Sequence, residues 1–309
     1  MRILKLFSVF ILSSLLLSCT NGELSTVADP LYEIVPNIAN CTPGSLSEIE
    51  KQKVLAYINS VRTTHNLPAV EYDARKDNLA QDAALIGAAN ADISGTVTDL
   101  YKCYSKNAAQ ECANGNRSLW GSATAKWPSS EIHVNDWMTE LNSGNINCRR
   151  RILDPFLKYI TFGRIIGTAI KGEFKYVSSA MLIPGYGDVD LSEYNISYVA
   201  YPQGIYSAKL FDANSFLSFS VLHSINSKSS NGESNVDFSE ATVEVSVGSQ
   251  ILDIVEGSIS YDYNDDYGLP NSLQWQVQGL AKNVSYTVKI HNVIVAKNPT
   301  DYEYTFSFR

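Results

Sequence analysis

The stretch "SEIEKQKVLAYINSVRTTHNLPAVEYD", Ser47 to Asp73, decides the class of fold. Ser47 and Glu50 have the S-x-x-E spacing of a capping box, in which the serine hydroxyl accepts an orphan backbone N–H at a helix start. Val54, Leu55, Ile58 and Val61 then recur on one helical face. Pro68 stops the helix, because the residue before a proline is pushed out of the helical region. The spacing therefore predicts an amphipathic helix that needs something to cover its apolar stripe.

The cover begins next door. "LAQDAALIGAANADI", Leu79 to Ile93, predicts a second helix whose Ala80, Ala83, Ala84, Gly87 and Ala88 allow close packing. Further on, "VNDWMTE" (Val134 to Glu140) reads as helix, and "CRRRILDPFLKYITFGRIIG" (Cys148 to Gly167) ends in a glycine-containing strand. The character of the chain changes near Leu191. Beyond it, "ATVEVSVG", "LQWQVQGL", "VSYTVKIHNVIVA" and "YEYTFSF" are short strand patterns separated by turns, with period-two alternation over Thr242–Val247 and Gln274–Val277. Several such strands predict an antiparallel β-sandwich. "YPQG", Tyr201 to Gly204, reads as a turn between two of them.

The first residues predict export. Arg2 and Lys5 precede an apolar run from Leu6 to Leu17, too short to span a membrane and built like a secretory signal. "LLSC", Leu16 to Cys19, resembles a bacterial lipobox, which implies cleavage before Cys19 and its acylation; an ordinary signal cut nearby is the alternative. Thr20 after the cysteine points by the same resemblance to the outer membrane. Asn21 to Gly44, with Pro30, Pro36 and Pro43, reads as a tether. The expected layout is a signal at 1–18, a tether at 19–44, a mixed domain at 45–190 and a β domain at 191–309. Losing Arg2 and Lys5 takes the formal charge from −8 to about −10. A net acidic chain with no basic stripe argues against nucleic acid and against electrostatic docking on anionic lipid.

Beyond Cys19 an exported chain keeps Cys41, Cys103, Cys112 and Cys148. Loop closure favours the short pair Cys103–Cys112, leaving Cys41 with Cys148. A free inert Cys148, or one activated by Arg149, Arg150 and Arg151, are the other readings. There is no zinc spacing, as no CxxC occurs and His65, His133, His223 and His291 are scattered. No cofactor and no metal are expected. "YDYNDDYG", Tyr261 to Gly268, places Asp262, Asn264 and Asp266 at one-three-five spacing, but its glycine comes at seven and Leu273 stands at twelve, so an acidic turn is expected rather than a calcium loop.

The order of "VLAYINSVRTTHNLPAVEYD", the alanine-rich segment, "VNDWMTE" and "CRRRILDPFLKYITFGRIIG" resembles the CAP superfamily of cysteine-rich secretory, venom-antigen and pathogenesis-related proteins, in its bacterial exported branch. "YKCYSKNAAQECANGNRSL", Tyr101 to Leu119, looks like a bacterial subgroup segment. The resemblance covers roughly Leu46 to Ile183 and implies an α+β chain: a CAP-type α-β-α sandwich followed by an all-β, immunoglobulin-like sandwich. It also implies a cleft with two histidines and two glutamates. Here Gly95 and Cys148 stand where the histidines belong, Asn114 and Asn116 stand near the first glutamate's place, and Glu140 fits the second.

One carboxylate and one cysteine make a poor site for zinc or magnesium. His133 reads as a packed helix residue, and Glu140 as a solvated helix-end carboxylate or a functional one. Arg149 and Arg150 are expected to hold backbone or acidic groups by bidentate bonds. Trp120, Trp127 and Trp137 are expected in the core, with one of them free to rim a groove. The function expected is binding or interaction at the bacterial envelope through an unknown ligand. The alternatives are an envelope-acting hydrolase of peptide, glycan or lipid using the residual cleft, and lipid or sterol carriage.

Overall fold

The computed structural model of this 309-residue chain describes residues 31–94, 96–124, 126–141, 143–167, 175–184 and 189–309. Cys19 and the expected signal lie outside the described residues, as does Gly95. Among the described residues no helix is long and apolar enough to cross a membrane. The chain is α+β, and among the described residues its α-helices lie in the first half.

The first half contains β1 (Tyr32–Ile34), β2 (Ser45–Leu46), α1 (Glu48–Thr64), β3 (Glu71–Tyr72), α2 (Asp77–Asn90), α3 (Lys106–Asn114), β4 (Asn116–Ser122), α4 (Ser130–Thr139), α5 (Asn147–Ile152), β5 (Tyr159–Ile166) and β6 (Lys175–Leu182). One arm of the expected capping box forms, Ser47 Oγ accepting Glu50 N at 3.3 Å at the start of α1, whereas Ser47 N–H donates to Leu31 O at 3.0 Å and not to Glu50. Val54, Ile58 and Val61 are buried.

A four-stranded sheet runs β3-β5-β6-β4, with β3 parallel to β5 and the other pairs antiparallel. Side chains alternate across it. Ile160, Phe162 and Met181 join the core of α1 and α4, whereas Ile165, Ala180 and Leu182 join that of α2 and α3. The sheet thus lies between two helical layers. The alanines of α2 let the helix backbone come down onto the sheet at Gly163. A β-carbon there would lie 2.6 Å from Gln81 N and closer still to Ala80 O.

The second half contains β7 (Tyr198–Tyr201), β8 (Gly204–Tyr206), β9 (Leu217–Val221), β10 (Val236–Asp237), β11 (Thr242–Val247), β12 (Gln250–Ile251), β13 (Ser260–Asp262), β14 (Ser272–Trp275), β15 (Tyr286–Val295) and β16 (Asn298–Phe308). One sheet runs β12-β11-β15-β16-β8 with β10 added on β15, and the other runs β13-β14-β9-β7. Phe219 and Tyr198 of the second sheet meet Tyr302 and Tyr304 of the first at 5.0–6.3 Å between ring centroids, so the sheets pack face to face through aromatics. The expectation of a wholly antiparallel arrangement is corrected at one pair: β16 and β8 are parallel.

Two further expectations change. The tether expected over 19–44 is not one in its described second half. β1 pairs with β2, and the Tyr32 hydroxyl accepts Ile166 N at 2.9 Å. The disulfide pairing also differs, since Cys41 is bonded to Cys103 while Cys112 and Cys148 are free thiols. Loop entropy favours Cys103–Cys112, but α3 turns Cys112 inward beneath the Ala83 carbonyl, while Cys103 lies before that helix, against Ile38 O. The direction imposed by the helix outweighs the shorter loop.

The apolar core does not stop near Leu191. A single buried cluster runs from Leu46 and Val54 through Leu191 to Phe308. The arginine run crosses the same junction. Arg149 places its guanidinium 3.8 Å from the Tyr201 ring centroid and donates to Phe216 O at 2.9 Å. Arg150 donates to Asn264 O (2.8 Å), to Leu269 O (3.0 Å) and to the Asp262 carboxylate. Arg151 donates to Gly115 O at 3.1 Å and Asn116 Oδ1 at 3.3 Å in the first half, while its guanidinium lies 4.8 Å from the Tyr267 ring centroid of the second.

Candidate functional site

Two of the residues singled out from the sequence, Glu140 and Cys148, line one groove, with the buried Asn116 behind them. α4 ends at Glu140, which adopts a left-handed conformation (φ 44°) and so turns the chain away from the helix axis. Its carboxylate then faces the start of α5, where Oε1 accepts Cys148 N at 2.9 Å and Oε2 accepts Arg149 N at 3.0 Å. Asn116, the first residue of β4, donates through Nδ2 to Cys148 O at 3.0 Å. Asn116, Glu140 and Cys148 are therefore brought together, whereas Gly95 lies outside the described residues.

Electrostatics answers the question raised by the cysteine before three arginines. Burial, and then the neighbouring Glu140 carboxylate, push the Cys148 thiol well above its ordinary value, although Arg151 pulls the other way. The guanidinium groups that would activate it are engaged elsewhere. Cys148 is neither disulfide-bonded nor an activated nucleophile. Burial raises Glu140 to about 7, against the lowering effect of Arg149 and of the two backbone N–H groups. The expected solvated carboxylate is thus corrected to a half-buried one with both oxygens engaged.

The rest of the groove escaped the sequence reading. It holds about 380 Å³, lined by β4, the end of α4 and Cys148. Trp120 is 40 % exposed on its rim and donates Nε1–H to Asp136 Oδ2 at 2.6 Å. Ser118 Oγ lies 3.4 Å from the same carboxylate oxygen and 2.9 Å from His133 Nδ1. His133 is fully buried, and burial holds it down to about 3, so it is neutral at physiological pH. Burial also raises Asp136, against hydrogen bonds from Trp120 and Ser118. Trp137 is buried and donates to Arg117 O at 3.0 Å, as a core tryptophan does, while Trp127 is half-buried.

Asp136 stands three residues after His133 on one helical face, the only sequence signal that the two share a neighbour; the strand that meets them is not legible there. Among the described residues no three His, Cys, Asp or Glu side chains cluster so as to hold a metal ion.

No family model and no curated protein matches the chain. Among solved structures, the crystal structure of MpPR-1i matches over 47% of this chain and 93% of its own, at 16% identity and a TM-score of 0.30. A likeness of that size carries no argument, and the reading of the site rests on its own geometry.

The acidic turn Tyr261–Gly268 has another role. Asp262 Oδ1 accepts Asn264 N at 3.1 Å while its other oxygen takes Arg150, and Asn264 Oδ1 accepts Asp266 N at 2.8 Å. These oxygens serve the turn and the arginine rather than one common centre. Gly268 (φ +139°) lets the turn approach α5, since a β-carbon there would lie 3.2 Å from Arg150 Cβ and nearer to its carbonyl.

Proposed function

We propose that this chain is an exported envelope lipoprotein, anchored through Cys19 to the outer membrane, that acts by binding rather than by catalysis. In this reading the first half is a CAP-type domain and the second an immunoglobulin-like sandwich. The sheet between two helical layers supports the first assignment. Tyr286, at the start of β15, supports the second: its hydroxyl accepts Ala281 N at 2.6 Å and donates to Ala281 O at 3.3 Å, as a tyrosine corner does.

The observation that carries the non-catalytic reading is the engagement of Glu140. Both of its oxygens accept backbone N–H groups, so the carboxylate shapes the groove wall instead of presenting a free base. The neighbouring thiol is held protonated. One observation favours the hydrolase alternative: burial sets Glu140 at about 7, in the range of a general base.

Two measurements test the proposal. Metabolic labelling with an alkynyl fatty acid should mark the protein in its host and fail on Cys19→Ser. The purified protein should show no turnover of casein, cell-wall glycan or p-nitrophenyl esters. Turnover that disappears in Glu140→Gln would overturn the non-catalytic reading, and an unlabelled wild type would overturn the anchor.

A further inference from the structure

Leu31 leads into a hairpin that leaves apolar side chains in solvent. Ile34 ends β1, Val35 follows it, and Ile49 stands in the first turn of α1, just after β2; they are 59%, 72% and 52% exposed. β1 pairs with β2, so all three belong to one short piece of joined backbone. Leu100, 91% exposed, and Tyr104 flank Cys103, whose bridge to Cys41 staples their loop to the same hairpin. Among the described residues, five of the twelve exposed large apolar side chains thus belong to the hairpin, the helix start it leads into or the stapled loop, and the other seven are spread over the rest of the chain.

We infer that the hairpin and its stapled loop rest on a zwitterionic bilayer, at the boundary between headgroups and acyl chains. The inference rests on the anchor at Cys19 proposed above and adds a second membrane contact, made by the folded chain itself. Distance from the anchor selects the occupant. From Cys19 to Leu31 the chain takes twelve residue steps (31 less 19). However they fold, these reach no further than about 40 Å, at 3.3–3.6 Å per residue. The hairpin therefore never leaves the neighbourhood of the bilayer, and confinement of that kind makes a weak contact effective.

Chemistry selects the kind of bilayer. Aliphatic side chains gain by leaving water for the acyl boundary, and that gain needs no partner of matching geometry. Tyr104 adds an aromatic ring with a polar tip, a side chain suited to the interface. The exposed charges on the same two segments are Glu33, Glu48, Asp99 and Lys102, three acids against one base. Anionic headgroups therefore offer them no attraction, whereas zwitterionic ones do not repel them. A second copy of this chain is the competing occupant. It would present the same apolar side chains, but nothing confines it within reach as Cys19 confines the bilayer.

The test uses the full acylated chain, purified from its host and reconstituted in phosphatidylcholine vesicles. Leu100→Trp places an indole on the stapled loop, and lipid brominated in the upper acyl chain quenches an indole that touches it. The emission added over wild type should fall at least twofold, at low and high salt alike and without anionic lipid. Ile34→Glu combined with Val35→Glu should abolish the quenching. Ile251→Glu, on β12 and 62% exposed, should leave it unchanged. Thermal melting checks each fold, and Ile49→Glu, an acid well placed in a first helical turn, replaces the double variant if that one fails to fold. Vesicle flotation reads the anchor separately. A chain that floats with an unquenched indole overturns this inference alone, whereas a chain that does not float overturns the anchor and the inference with it. Quenching that requires anionic lipid, quenching that survives the glutamates, or dimers by sedimentation in place of quenching would also overturn the inference.

Discussion

Replacing Arg150 by alanine tests the idea that the arginine run joins the two halves of the chain. Arg150 is 7% exposed, and its guanidinium serves the carbonyls of Asn264 and Leu269 and the Asp262 carboxylate. Each charge-assisted bond to a carbonyl contributes about 1.5–3 kcal/mol. The Asp262 side chain is 50% exposed, so its ion pair adds no more than about 1 kcal/mol. Water reaching the vacated carbonyls returns part of this, which leaves a loss of about 4 kcal/mol. In a chain of this size that lowers the melting temperature by about 10 °C. Urea unfolding of the full chain, followed by tryptophan fluorescence, measures it. Arg150→Lys keeps the charge but not the planar fork and should lose about half as much. A double-mutant cycle with Asp262→Ala should return a coupling below about 1 kcal/mol. A loss under about 1 kcal/mol in Arg150→Ala, or an equal loss in Asp262→Ala, would refute the reasoning.

Gly163→Ala should destabilise by about 3 kcal/mol or more in the same assay, because its β-carbon would collide with the α2 backbone at Ala80 and Gln81; a loss below 0.5 kcal/mol, within the usual scatter of surface substitutions, would contradict that packing. Alkylation in denaturant without reductant should modify Cys112 and Cys148 and spare Cys41 and Cys103, and peptide mapping reads the result. Breaking the Cys41–Cys103 bridge, with its sequence separation of 62, should cost about 4 kcal/mol in the loop-entropy picture. His65 and His133 are buried and held down to about 3 from 6.5. The unfolded chain therefore binds more protons below pH 6.5, and stability falls with pH by about 1.4 kcal/mol per unit for each histidine. Glu140, raised to about 7, opposes one of them, because its folded form takes up a proton first as the pH drops. Urea midpoints should thus show a net loss of about 1.4 kcal/mol per unit from pH 6.5 to 5, and roughly double that in Glu140→Gln; a flat profile would count against both assignments.

Local chemistry by itself determined the elements of this fold. Ser47 and Glu50 start α1, Pro68 lies just beyond its end, the small residues of α2 allow contact with the sheet, and the alternation over Thr242–Val247 becomes β11. These are short-range effects of capping, backbone sterics and side-chain period, and they need no knowledge of distant residues. Clustering at the candidate site was legible only by resemblance: Asn116, Glu140 and Cys148 do come together, but nothing in their spacing announces the Trp120–Asp136–Ser118–His133 chain, which joins a strand to a helix. Tertiary structure alone decided where the long-range partners lie. Cys41 took Cys103 because α3 turns Cys112 inward. Three consecutive arginines diverge because successive residues on a helix point about 100° apart, so Arg149 and Arg150 bond carbonyls of the β half while Arg151 bonds Gly115 of the first half and lies over the Tyr267 ring. A guanidinium carries no address in the sequence; it goes to whichever carbonyls the fold leaves unpaired within its reach.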